Sequence, residues 1–102
     1  MRNVSKPMAT LNWEMNMKEG KMNPMMYACK FVPNTDLILA GARDDKAAKC
    51  FNAKTGNIVK EFPVQDDCYA VDISKNGTLT VFGDGNGWIH MENINYQRIL
   101  DE

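Results

Sequence analysis

The chain has 102 residues, 44% apolar and 25% charged, which suits one small domain burying roughly 60–70% of its unfolded surface. Twelve Lys and Arg against 13 Asp and Glu give a net charge of −1, and the basic residues are scattered, which excludes the one-sided basic footprint of a nucleic-acid binder. No run approaches the ~20 apolar residues of a membrane helix, and no signal peptide is visible, so a cytoplasmic protein with no membrane partner is expected. Three cysteines (Cys29, Cys50, Cys68) form an odd set without C-x-x-C spacing. They predict buried thiols in a reducing compartment rather than a disulfide framework or a zinc site.

In chain order, residues 1–8 read as a flexible N-terminus. "ATLNWEMNM" (Ala9–Met17) alternates Leu11, Trp13, Met15 and Met17 with polar neighbours, the period of a strand. Seven of the eight methionines fall within the first 26 residues, so this region reads either as an adaptable docking surface or as gap-filling. Next comes a β-rich run, "YACKF", then the turn "PNTD" and a second run, "LILAG", ending on glycine. A polar turn leads to the strand "AAKCFN", after which "AKTG" reverses the chain into "NIVKEF". The order then starts again: "YAVDI", the turn "KNGT", "LTVFG", the turn "DGNG" and "WIHMEN". No helical period appears between residues 26 and 93, so an all-β fold is predicted, while the tail "NYQRIL" is open between a strand and a short helix.

The second series copies the first. "FVPNTDLILAG" (Phe31–Gly41) aligns without a gap on "ISKNGTLTVFG" (Ile73–Gly83) at an offset of 42, placing Asn34 over Asn76, Leu37 over Leu79 and Gly41 over Gly83. One residue then drops out, and Asn52 falls over Asn93 at an offset of 41.

"ILAGARDDKAAKCFNAKTGNIVKEF" resembles the WD-repeat pattern, in which a small-Gly-small strand end precedes an aspartate turn, a strand closing in Trp-Asp, and Thr-Gly. Phe51-Asn52 takes the Trp-Asp position and Thr55-Gly56 follows in order; "DISKNGTLTVFGDGNGWIHMEN" is similar, with Glu92-Asn93 there, and the likeness covers roughly residues 26–95. The resemblance implies two antiparallel four-stranded propeller-type blades, an incomplete propeller, with Asp45, Asn52, Gly56, Asn86 and Asn93 as structural turn residues. It divides the chain into residues 9–25 (outer strand and loop of a preceding blade), 26–62 (first blade) and 63–102 (second blade with a short tail). The family usually carries a histidine ahead of the first strand, bonded to the turn aspartate. Met22 and Val64 stand near that place, so the polar network is expected to be absent, with Asp45 and Asn86 where the turn acid belongs.

"FGDGNGWIHMEN" (Phe82–Asn93) also imitates a calcium loop, with Asp84, Asn86 and Ile89 at agreeable positions. Its first position is Phe82, which has no oxygen to offer, and its last is Asn93 in place of a bidentate carboxylate. The flanks are strand-like. A hairpin is therefore predicted, with Gly85 and Gly87 both at positive φ, and a calcium-binding module on Asp84–Asn93 stands as the alternative. The same segment fails as a dinucleotide fingerprint, since its third glycine comes too early and no helix follows. His90, the sole histidine, lies on a strand and is expected to be exposed or hydrogen-bonded. A cysteine-dependent enzyme is a third reading, but no nucleophile signature surrounds any of the thiols.

No catalytic, cofactor or metal site is therefore expected. Two stacked blades leave an apolar face at each end, to be covered by other protein, either a partner propeller or copies of the chain. Trp13, Met15, Met17 and Trp88 are the candidate interaction surface. The expected function is a non-catalytic scaffold within a larger assembly, cytoskeletal or ciliary, because a stub with exposed edges needs a permanent neighbour.

Overall fold

The computed structural model describes residues 8–14, 26–42 and 46–101. Among them are seven strands and one short helix, arranged as two antiparallel sheets with no closed barrel. The first sheet runs in sequence order through β1 (Met26–Phe31), β2 (Leu37–Ala42), β3 (Ala47–Asn52) and β4 (Ile58–Pro63). The second contains β5 (Cys68–Ile73), β6 (Leu79–Asp84) and β7 (Ile89–Asn93), and α1 (Tyr96–Leu100) follows.

The strands fall on the β-branched and aromatic runs, and turn chemistry divides them. Asn34 takes the left-handed backbone (φ 61°) that closes the Val32–Thr35 turn. In the matching turn, Ser74–Gly77, the left-handed position moves one residue on, to Gly77 (φ 78°).

The sequence repeat is a repeat of register. Cys29 pairs with Ala40 and Phe31 with Ile38; an offset of 42 gives Val71 with Phe82 and Ile73 with Thr80, as observed. Both pairings carry a bulge at the same point, between Met26 and Ala28 in one and between Cys68 and Ala70 in the other. The next hairpins agree too, with Leu37 opposite Asn52 and Leu79 opposite Asn93.

The sheets pack face to face, with β5 against β1, β2 and β3. Leu37, Leu39, Ala48, Cys50 and Phe62 from one sheet meet Cys68, Val71 and Phe82 from the other in a single core. The Phe62 and Phe82 rings stack with centroids 5.9 Å apart. Gly41 marks the closest approach: a Cβ there would lie 2.7 Å from Cys68 Sγ and 2.8 Å from its carbonyl oxygen. Only glycine lets the backbones come this near.

Two expectations are corrected. The second sheet has three strands among the described residues, because the chain after Asn93 turns into α1 instead of a fourth strand. Asn95 caps that helix, its side-chain oxygen accepting from Arg98 N at 3.0 Å, and Tyr96 swings beneath the core, edge-on to Phe62. The Tyr96 hydroxyl is hydrogen-bonded to Thr80 Oγ1 at 2.7 Å, and burial pushes its pKa up to about 12. The alternating N-terminal segment is not a strand over residues 9–14, and Met15 and Met17 lie outside the described residues. Trp13 instead uses its indole Nε1–H, donating to Ala53 O at 2.6 Å, with its ring over Gly56.

Candidate protein-interaction surface

Cross-strand partners share a face, so the registers sort every strand residue to one side or the other. On the first sheet, Cys29, Phe31, Ile38, Ala40 and Phe51 stand opposite the core side. With Trp13, Met26 and Lys30 they line a cavity of about 290 Å³. Phe31 is 76% exposed. On the second sheet, Leu79, Val81, Ile89 and Met91 face away from the core, and Ile89 and Met91 are 75% and 62% exposed. On the first of these faces Ala40 and Phe51 are buried and Ile38 is half-buried, so its exposed apolar side chains are fewer than those of the second; exposed apolar groups on a sheet face mark a candidate docking surface.

Of the predicted interaction residues, Trp13 forms one wall of the first-sheet cavity and Trp88, 56% exposed, sits at the start of the β6–β7 hairpin's return. Trp13 shares that cavity with Phe31 and Ile38, whereas Trp88 is not part of its lining. Sequence reasoning missed Phe31, Ile38, Ile89 and Met91. Their signal was present in the strand alternation, since each opposite face is apolar too, but alternation does not say which face is covered.

The turn residues divide. At Asn52 the Oδ1 accepts from Lys54 N and Thr55 N, and Gly56 N donates to Asn52 O, with Gly56 at φ 81°. Asp45 lies outside the described residues. Asn93 ends β7 opposite Leu79 and leads into α1 rather than a turn. Asn86 is not the turn acid; Asp84 is. Asp84 Oδ1 accepts from Asn86 N and Trp88 N, both at 3.0 Å, and Oδ2 accepts from Gln65 N at 3.2 Å and His90 Nε2 at 2.9 Å. The carboxylate can only accept, so His90 must carry its proton on Nε2.

The second sheet thus holds a histidine–aspartate contact of another kind than the one whose absence was expected. The histidine comes from β7, across the hairpin, rather than from ahead of the first strand. Burial pushes the Asp84 pKa up, but the hydrogen bonds from His90, Trp88, Asn86 and Gln65 outweigh it and hold the carboxyl below its ordinary value.

The same network bears on the calcium alternative. Both Asp84 oxygens are committed to four protein donors, and strands β6 and β7 flank the loop where the calcium motif needs helices. Of its glycines only Gly87 has positive φ (83°). Gly85 is there for space, because a Cβ would come within 2.9 Å of the Tyr69 ring and 3.0 Å of Asp66 Oδ2. No group of three or more His, Cys, Asp or Glu among the described residues could hold a metal ion.

Cys50 and Cys68 are buried, as expected, but Cys29 is exposed because β1 is an edge strand and the residue faces outward. Burial raises the Cys29 thiol pKa and pushes that of Cys50 up to about 11, the opposite of nucleophile activation. A larger groove of about 490 Å³ runs between the two matching turns and α1, lined by Asn34, Asn76, Thr78 and Asn93 among others. Its ionisable side chain, Tyr96, is already bonded to Thr80, so the groove has no acid–base pair with which to act.

No family model, curated protein or solved structure matches the chain. No helix among the described residues is long and apolar enough to cross a membrane.

Proposed function

We propose that the chain is a non-catalytic protein-interaction module, a WD-type repeat segment whose two outer sheet faces are covered by other polypeptide. The observation that carries this reading is the pair of apolar outer faces, Phe31 beside the half-buried Ile38 on one sheet and Ile89 with Met91 on the other, where Phe31, Ile89 and Met91 stay exposed after the inner faces have packed together. Each face is carried on a hydrogen-bonded sheet, the kind of surface on which another sheet packs. The repeated register supports the WD-type resemblance, since both copies share strand order, bulge position and turn placement.

Size-exclusion chromatography with light scattering, together with binding of a dye that fluoresces on apolar surface, tests the reading. The chain is expected either to associate or, when dilute, to bind the dye, and to bind less of it once Phe31 and Met91 are both replaced by Asp. A folded single chain of 11.5 kDa that binds no dye at any concentration overturns it.

A further inference from the structure

The internal repeat specifies what the outer faces fit. Consider the operation that carries the first sheet onto the second. It takes Leu37, Leu39 and Gly41, which face the neighbouring sheet, to Leu79, Val81 and Gly83, which face outward. It takes Cys29, Ile38 and Ala40, which face outward, to Val71, Thr80 and Phe82, which face inward and are buried. The outward face of the second sheet is therefore a copy of the first sheet's inner face. The outward face of the first sheet is likewise a copy of the second sheet's inner face. We propose that a second copy of this chain docks its first sheet on the second sheet of the first, head to tail, repeating between chains the packing already present within one. The proposal rests on the interaction-module reading and names its partner.

Two contacts favour a copy of this chain over an unrelated apolar partner. Tyr27 and Tyr69 are one repeat apart, and their rings lie 4.4 Å from centroid to centroid across the two sheets. Lys30 and Asp72 are also one repeat apart, and Lys30 Nζ lies 3.8 Å from Asp72 Oδ1. In each case one residue meets its own repeat counterpart, so a further application of the operation brings Tyr69 to the next chain's Tyr27 and Asp72 to the next chain's Lys30. The result is a row of tilted tyrosine pairs and a row of alternating charge. Had both positions of the second pair carried the same sign, stacking would have put like charges together; Lys and Asp make it attractive at every step. The Lys30–Asp72 pair is exposed to solvent, so it selects orientation while the apolar faces supply the affinity.

The contact is heterologous, with a different face used on each chain, so it extends into a ring or a filament rather than stopping at a two-fold dimer. Three samples test it, each checked for native circular dichroism: the wild-type chain, Phe31→Asp and Met91→Asp. Both substitutions fall on exposed side chains, so folding is expected to survive. Wild type is expected to form species above single-chain mass, each variant alone to run as single chains, and their equal mixture to give a species of two chains, because one intact pair of faces remains. Lys30→Asp or Asp72→Lys alone is expected to weaken association by up to about fivefold, and the two together to restore it.

Wild-type association that the mixture fails to restore means a symmetric interface and overturns the proposal. A wild-type single chain that binds the apolar dye overturns it as well, while leaving the interaction-module reading standing with a different partner. A single chain that binds no dye removes both.

Discussion

At the end of β2 the first sheet places Ala42, and forty-two residues later the second sheet places Asp84 at the end of β6. Both are buried, and both sit at the same point of the same register, opposite Met26 and Cys68. One corner is filled by a methyl group. The other is a carboxylate gathering three backbone amides and a histidine. The pairing is indifferent to which is used, because the ladder is fixed by backbone hydrogen bonds and by the side-chain alternation. What differs is the local consequence. The Asp84 corner ties the Gln65 backbone and β7 to β6, giving a sheet of only three strands a polar clamp in addition to its ladder. The first sheet has a fourth strand instead, and the Asn52 turn leading into it.

The comparison can be broken first at the core. Phe82→Ala removes a fully buried ring stacked on Phe62 and should cost about 3–5 kcal/mol in chemical denaturation. Phe31→Ala, on the outward face, should change the stability of the dilute chain by no more than about 0.5 kcal/mol. Equal costs would mean that the two faces have been assigned wrongly. Next in size is the pair of repeat glycines. Gly41→Val drives a side chain into Cys68 and should cost about 1–3 kcal/mol. A Cβ on Gly83 meets only Ala70 Cβ, at 3.7 Å, so Gly83→Val should leave thermal unfolding of the isolated chain nearly unchanged while abolishing self-association by light scattering.

The third test concerns α1. Tyr96→Phe leaves the buried Thr80 hydroxyl without its bond and should cost about 1–3 kcal/mol. Thr80→Val should cost a similar amount, and the double variant less than the sum, as read by a double-mutant cycle. The last test belongs to Asp84, whose contribution is fullest at neutral pH and fades with acid. Its folded pKa lies below the ordinary value of about 3.9, so its contribution is complete above about pH 4 and is lost as pH falls through the lowered folded value. Asp84→Asn should flatten that acid limb of the unfolding curve. An unchanged limb would show that the clamp does not depend on ionisation.

The strands and their repeat were legible in the sequence because turn residues and a shared glycine anchor both copies. Asn34 over Asn76 and Gly41 over Gly83 suffice to align them. Which face of each strand meets the core was not legible. In "WIHMEN" the apolar Ile89 and Met91 point to solvent and the polar His90 points inward, the reverse of the usual alternation, because a carboxylate six residues earlier waits for it. A pair joined across a hairpin leaves no trace in local spacing beyond an aspartate at a strand end followed by a glycine-rich turn. The α1 helix was ambiguous for a related reason: five residues carry no period, and the deciding feature was the Asn95 cap. Trp13 was singled out for its alternation, yet its position depends on a single indole hydrogen bond to Ala53.

The matched bulges have a further consequence. β1 and β5 are edge strands, and an interruption of the ladder near the start of each twists it away from a flat template; β4, at the opposite edge of its sheet, has its own register shift and carries Lys60, Glu61 and Pro63. β7 pairs with β6 without a break, and Glu92 is its one acidic residue. In overloaded or partly unfolded preparations, amyloid-like growth would start from Ile89–Asn93, and a proline or lysine introduced on that strand's outer margin would be the protective change to try.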